Sequence, residues 1–312
     1  MKRTNEVGGG WWRTSTVLHS LLLLLVLACG NTHRGRPREF DGSRAFGYVQ
    51  RQMSFGPRIP GTVAHDSTGA WILAELRARA DSVTVQEFTH TTTRGQALRL
   101  RNYLARFRPE LAERVLFLAH WDTRPRADQS ANLGQQRLPV PGANDGASGV
   151  AVLLGVADAL KAKPPAVGVD LLFVDGEDYG DFANDSSDVL IGSRWFAAHQ
   201  PAGYPPLYAV LFDMVGDKDL RIGYEANSVS FAPEVVDRVW RTAADLGYGG
   251  VFIPQVEANL IDDHVALQHA GLHAIDVVDF TYPYWHTTED TIDKVSAASL
   301  QIVGDVAVAL VR

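Results

Sequence analysis

Cysteine is almost absent: Cys29 is the only one in 312 residues, so no disulfide can close within the chain. Stability must come from a hydrophobic core and from whatever the protein binds. A basic run, or a basic stripe interleaved with aromatics, is also missing, and the formal charge is −7, so a nucleic-acid partner is not expected. No apolar stretch reaches a comfortable membrane span; the longest, Thr14 to Ala28, is about 15 residues. Internal repeats and low-complexity blocks are lacking as well. What remains is an ordinary globular composition, 46% hydrophobic and 21% charged. No linker interrupts the pattern, so a single α/β domain spanning residues 43–312 is expected.

The N-terminus reads differently. Lys2, Arg3 and Arg13 precede the apolar run dominated by Leu21–Leu25, the layout of a signal peptide over residues 1–28. The run ends Val26-Leu27-Ala28-Cys29-Gly30, and a small residue before cysteine resembles the bacterial lipoprotein cleavage site. A membrane-anchored lipoprotein of a cell envelope, held on its periplasmic side through a lipid on Cys29, is therefore expected. The alternative is a secreted protein with an incidental cysteine. Cleavage after Ala28 leaves 26 Lys and Arg against 35 Asp and Glu, a charge of −9. Residues 29–42, polar with Pro and Gly, read as a tether.

Beyond the tether, apolar runs alternate with helical periodicity. Val115–Ala119 is a short, uniformly apolar run, as expected of a strand covered on both faces, and Val169–Val174, Leu207–Phe212 and Ala274–Val278 are further, largely apolar strand candidates. Ser43–Met53, Thr68–Ala80, Gly149–Leu160, Ser193–His199, Pro233–Leu246 and Val295–Leu310 carry helical spacing. Alternating strands and helices predict a three-layer α/β/α sandwich with a mostly parallel central sheet.

In such sheets, sites form where strand C-terminal ends open into loops. Polar residues stand there: His120-Trp121-Asp122, Asp175-Gly176-Glu177-Asp178, Asp213 and Trp285-His286 follow apolar runs. Asn144-Asp145 precedes a helix, and Asp262-Asp263-His264 lies in a late loop. Taken singly, each has a bland explanation, since Asp145 could cap a helix and a lone His is often a core residue. Together, converging carboxylates would repel one another unless a cation neutralised them. Imidazole and carboxylate without thiolate suit a catalytic zinc. Of the neighbours Glu177 and Asp178, one can face the metal while the other serves as general base and acid.

Several segments resemble the zinc aminopeptidase-like family that includes peptidase family M28 and the animal-type glutaminyl cyclases. They are GPRIPGT (56–62), HWD (120–122), PGANDGASG (141–149), DGEDYG (175–180), GSRWFA (192–197), FDMVGD (212–217), DDH (262–264) and WHTTEDTID (285–293). The resemblance to the cyclases implies one zinc ion on Asp145, Asp178 and His286, with Glu177 as proton shuttle and Asp213 and Asp263 as its hydrogen-bonded partners. His120 would stay near the metal without binding it, and Trp285 would wall the substrate. Resemblance to the aminopeptidases implies two zinc ions instead, with His120 and Asp213 as the additional ligands. Trp285 before His286, the doubled acid and GPRIPGT favour the cyclase, which converts an N-terminal glutamine to pyroglutamate with release of ammonia. An aminopeptidase that hydrolyses the first peptide bond is the alternative, and peptide or protein N-termini are the substrate in both. A non-catalytic binding domain is a further expectation within the superfamily, but Glu177 and every ligand are retained. A monomer is expected.

Two departures from the animal cyclases stand out. Asp178 occupies a place where they usually carry Glu, and the loop Tyr179–Asp188 has no Trp. Tyr179, Phe182 or Trp195 could supply the missing aromatic wall.

Overall fold

The computed structural model describes residues 38–182, 186–200, 204 and 206–312, with Gly10 besides. The expected signal segment and residues 29–37 of the tether otherwise lie outside the described residues. The folded unit begins at Arg38, and Phe40 is already buried.

Two helices open the domain. In α1 (Gly42–Met53), Asp41 caps the first turn by accepting from the Arg44 N–H, and Ala45, Tyr48, Val49 and Gln52 fall on one buried stripe. Helix α2 (Val63–Arg77) starts five residues before the expected Thr68, because the Thr62 side chain caps it by accepting from His65 N.

The central sheet has six strands in the order β1-β2-β4-β3-β5-β8. Four of them, β3 (Arg114–His120), β4 (Gly168–Val174), β5 (Tyr208–Asp213) and β8 (Ala274–Val278), run parallel. They are the four apolar runs of the sequence, and every residue in them is buried. An antiparallel hairpin, β1 (Ser82–Thr91) and β2 (Ala97–Phe107), extends the sheet beside β4.

Alternation along these strands feeds two separate cores. Phe117, Leu171, Val210 and their like point toward α1, α3 (Ala147–Ala162) and α8 (Ala297–Ala309). Leu116, Leu118, Leu172 and Leu211 point the other way, toward Phe196 of α4 (Ile191–Ala198) and Leu267 of α7 (Asp263–His269). Each such leucine contributes about 2 kcal/mol by leaving water, and a sheet covered on both faces has no alternating polar positions to betray its direction. The expected three-layer α/β/α sandwich is thus present. A smaller parallel pair, β6 (Ile222–Glu225) and β7 (Phe252–Ala258), carries α5 (Ala226–Phe231) and α6 (Pro233–Asp245) between its strands. Among the described residues no helix is long and apolar enough to cross a membrane.

One close approach sets the site. A Cβ on Gly149 would stand 2.1 Å from the carbonyl oxygen of Phe212. Glycine therefore lets the first turn of α3 rest on the end of β5, which brings Asp145 and Asp213 to the same edge of the sheet.

Candidate active site

The C-terminal ends of β3, β4 and β5 deliver His120, the Asp175–Asp178 turn and Asp213 side by side. Asp122 holds the turn by accepting from the N–H groups of Glu177 (3.1 Å) and Asp178 (3.2 Å). These two bonds fix two consecutive backbone amides, so the neighbouring side chains are presented in different directions. Met214 and His286 both adopt left-handed backbone (φ 48° and 53°), a conformation that costs a non-glycine residue on the order of 1 kcal/mol or more.

Two clusters of metal-binding type share Asp145. In one, Asp145, Asp178 and His286 converge; in the other, His120, Asp145 and Asp213. His286 Nε2 lies 3.2 Å from Asp178 Oδ1 and 3.6 Å from Asp145 Oδ2. His120 Nε2 lies 3.1 Å from Asp145 Oδ1 and 3.2 Å from Asp213 Oδ1. Every one of these side chains is buried, yet Asp145 Oδ2 and Asp178 Oδ2 have no hydrogen-bond partner. A buried carboxylate oxygen without a donor is costly, and a divalent cation between these two would satisfy both. The residues therefore fit zinc by their chemistry as well as by their convergence.

Electrostatics point the same way. Burial raises the Asp145 carboxyl, and Asp178 beside it adds to the rise. Burial works against a charge on His286, but Asp178 and Asp128 outweigh it and push the imidazole up to about 9. Asp178 also feels burial first, and His286 and Arg124 bring it down to about 2. The pocket calls for positive charge, supplied either by protons on imidazole or by a metal.

Glu177 is buried among acids. Burial drives its carboxyl well above the ordinary range, and Asp178, Asp262 and Asp263 push it further while His120 opposes them. A carboxyl of that kind suits a group that takes up and returns a proton.

Asp213 and Asp263 divide on inspection. Asp213 lines the cavity, with its Oδ1 turned to His120. Asp263 is fully buried and sits behind the wall, and the acid lining the cavity beside Asp213 is Asp262. Helix geometry explains the exchange. Asp262 is the extended N-cap residue of α7, its side chain accepting from Asp263 N at 2.5 Å, whereas Asp263 is the first helical residue and turns inward. Burial and Asp213 push Asp262 up to about 8.

The cavity has a volume of about 220 Å³, with Glu177, Asp145 and His286 at the acidic end and Phe182, Leu260 and Trp285 among its walls. Trp285 stacks on His286 with ring centroids 3.9 Å apart. Of the three aromatics that could replace the missing tryptophan, Phe182 lines the cavity. Trp195 instead stacks between Phe88 (4.6 Å) and His199 (3.9 Å), and the Tyr179 hydroxyl donates to Gln96.

Three supporting residues escaped the sequence reading. Asp128 stands 3.5 Å from His286 Nδ1 and is clamped by Arg124 at 2.9 and 2.6 Å, which orients the imidazole so that Nε2 faces the carboxylates. Asp290 accepts from the N–H groups of Asn144 (2.8 Å) and Asp145 (3.2 Å) and from the Tyr282 hydroxyl (2.7 Å), fixing the loop that carries Asp145. Arg58, in GPRIPGT, is wholly buried and donates to the carbonyls of Trp121, Pro141 and Gly142 (3.2, 3.0 and 2.6 Å). It braces three of the quoted segments against one another. Only the Asp128-bearing stretch lay outside those segments, and nothing in its local composition marks it.

Comparison with known proteins agrees with this geometry. Residues 102–311 match peptidase family M28. The structure of Porphyromonas gingivalis glutaminyl cyclase superposes with a TM-score of 0.84 at 38% identity, covering 88% of this chain and 98% of that one. A Zn-dependent exopeptidase from Parabacteroides distasonis superposes with a TM-score of 0.83 at 34% identity, covering 87% of this chain and 98% of that one. Among curated proteins, Aminopeptidase YwaD of Bacillus subtilis is 28% identical over 207 residues, 63% of this chain. The chain spans 40% of the length of that relative.

Proposed function

The chain belongs to peptidase family M28, and from that premise we propose that it is a zinc-dependent glutaminyl-peptide cyclotransferase, acting on the N-terminal glutamine of peptides or proteins. The observation that carries the reading is the likeness to a glutaminyl cyclase over nearly the whole domain, at 38% identity. A cavity of about 220 Å³, large enough for one side chain and ending on Glu177, supports it.

One zinc ion, held by Asp145, Asp178 and His286, would supply Lewis-acid polarisation of the substrate's γ-carboxamide carbonyl. The protein does the rest. Trp285, Phe182 and Leu260 wall the aliphatic stem and exclude water. Glu177 accepts a proton from the α-amino group, whose nitrogen then attacks the carbonyl carbon of the γ-carboxamide and closes the five-membered ring. The same carboxyl returns the proton to the departing amide nitrogen, the C–N bond breaks and ammonia leaves. Asp213 and Asp262 face this exchange, with Asp263 behind them. Such a cluster shares its protons, so the shuttle is a property of the group.

His120, Asp145 and Asp213 also converge within metal-binding reach. That favours keeping a second reading, an aminopeptidase with a second zinc there and Glu177 activating water. Mass spectrometry of a Gln-initiated peptide after incubation separates the two. Loss of one ammonia with chain length unchanged is expected; release of free glutamine would replace the cyclase by the peptidase.

We further propose that residues 1–28 are a signal peptide and that Cys29 carries a lipid, which places a monomeric enzyme on the periplasmic side of a cell-envelope membrane. Labelling with a radioactive fatty acid, lost in Cys29→Ser, tests the anchor; an unlabelled wild-type protein would remove it.

A further inference from the structure

We infer that the trough between α4 and α7 receives the substrate residues that follow the N-terminal one, and that it favours apolar side chains there. The inference rests on the reading above that the cavity holds a peptide N-terminus, whichever of the two reactions follows.

A cavity of about 220 Å³ accommodates one residue, so the rest of a peptide must leave across its rim. Ile261 forms part of that rim with 59% of its surface exposed. It is also a wall of a second concavity of about 410 Å³ lying between α4 and α7, a volume within the ordinary range of ligand sites. Both helices spring from the catalytic cluster. Leu190 N, at the head of α4, donates to the carbonyl of Glu177 at 2.9 Å, and α7 is capped by Asp262. The trough therefore begins where the reacting end of a substrate would lie and runs outward from it.

Its shape and chemistry follow from the residues facing it. Ala197 and Ala198 on α4 oppose Ala266 on α7 and Ala270 at its C-cap. Where larger side chains would fill the seam between two packed helices, four methyl groups leave it open. Among the described residues no carboxylate lines it, although the chain as a whole carries a charge of −7. Arg194, tied to the Ser186 carbonyl at 2.7 Å, and His269 are the ionisable residues that line it among those described. Such a surface desolvates apolar side chains at little cost and offers few partners to polar ones.

The test compares three peptides on zinc-loaded enzyme: Gln-Gly, Gln-Gly-Leu-Val-Gly and Gln-Gly-Ser-Asn-Gly. The apolar pentapeptide is expected to exceed the polar one in kcat/KM by on the order of tenfold, the worth of a methylene or two buried. Ala198→Trp and Ala270→Trp fill the trough from its two sides, and each should erase the difference through KM, with Gln-Gly turnover reporting whether the site is intact. Equal kcat/KM for both pentapeptides in the wild type overturns the inference. So does a preference that survives both variants, or a tryptophan variant that changes sedimentation instead of preference, since the trough would then join two copies of the chain. If Gln-Gly is hydrolysed, the same ratios are read on hydrolysis. If it is not turned over at all, the functional reading fails by itself, and calorimetric titration of the pentapeptides into Glu177→Gln protein still decides the trough: tighter binding of the apolar peptide supports it and equal binding ends it.

Discussion

His120 lies between Asp145 and Asp213, with Asp122 Oδ1 3.6 Å from its other nitrogen. Burial opposes a charge on it, but these three carboxylates raise its proton affinity well above the ordinary range. A protonated His120 donates to the acids and leaves them for the shuttle; a neutral one can accept a metal. His120→Ala separates the alternatives. The cyclase is expected to keep one zinc equivalent by elemental analysis and to retain kcat/KM to within about tenfold. Loss of both metal and turnover in a variant of unchanged circular dichroism would instead identify a two-zinc peptidase. At this scale the residues that converge in the two clusters were legible, because each closes an apolar run or opens a helix, and position alone made them suspect. Asp128, Asp290, Arg58 and the placing of Asp262 on the cavity wall were not, because these depend on which backbone groups and rings the finished fold brings beside them.

Glu225 closes β6 and caps α5, accepting from the N–H groups of Asn227 (2.9 Å) and Ser228 (2.6 Å). It also accepts from Leu260 N at 3.1 Å and faces His264 Nε2 at 3.1 Å, so one carboxylate ties a helix start to the cavity wall. Burial alone would raise this carboxyl; the His264 and backbone hydrogen bonds outweigh it and hold it at about 2, below the ordinary 4.5. Its contribution to stability is therefore complete above pH 4.5 and disappears as pH falls toward 2, and amounts to roughly 3 kcal/mol. Glu225→Gln should lower the urea midpoint of chelated protein at pH 7 and approach the wild type near pH 2. Parallel curves over that window would refute the assignment. Elements differ in legibility for a related reason. Strands β3, β4, β5 and β8 announce themselves because both faces are buried. In β2, Leu98 and Leu100 are buried while Arg99 is exposed, and its partner β1 is largely uncovered, so the hairpin carries too weak an apolar signal to read. Helix α7 is too short for periodicity to show.

Across the whole molecule, no disulfide shares the task of holding the sheet's catalytic edge together, and the acids there repel one another when no cation is bound. Zinc should therefore stabilise the fold as well as serve the reaction. At a thousandfold excess over its dissociation constant the expected gain is about 4 kcal/mol, or roughly 10 °C in Tm for a domain of this size. Chelation followed by calorimetry should show that fall, and added zinc should restore it; an apo-protein melting at the holo temperature would separate the metal from stability. The far end of the fold has its own fixture. The Phe40 ring sits against Gly155 of α3 and Gly304 of α8, where an added Cβ would meet it at 2.4 and 2.3 Å. Gln301 of α8 clasps the same segment, donating to the Phe40 carbonyl (3.0 Å) and accepting from Gly42 N (2.8 Å). In mechanical terms this is a cleat: tension arriving along the chain before Arg38 is shared between two long helices before it can peel α1 from the domain.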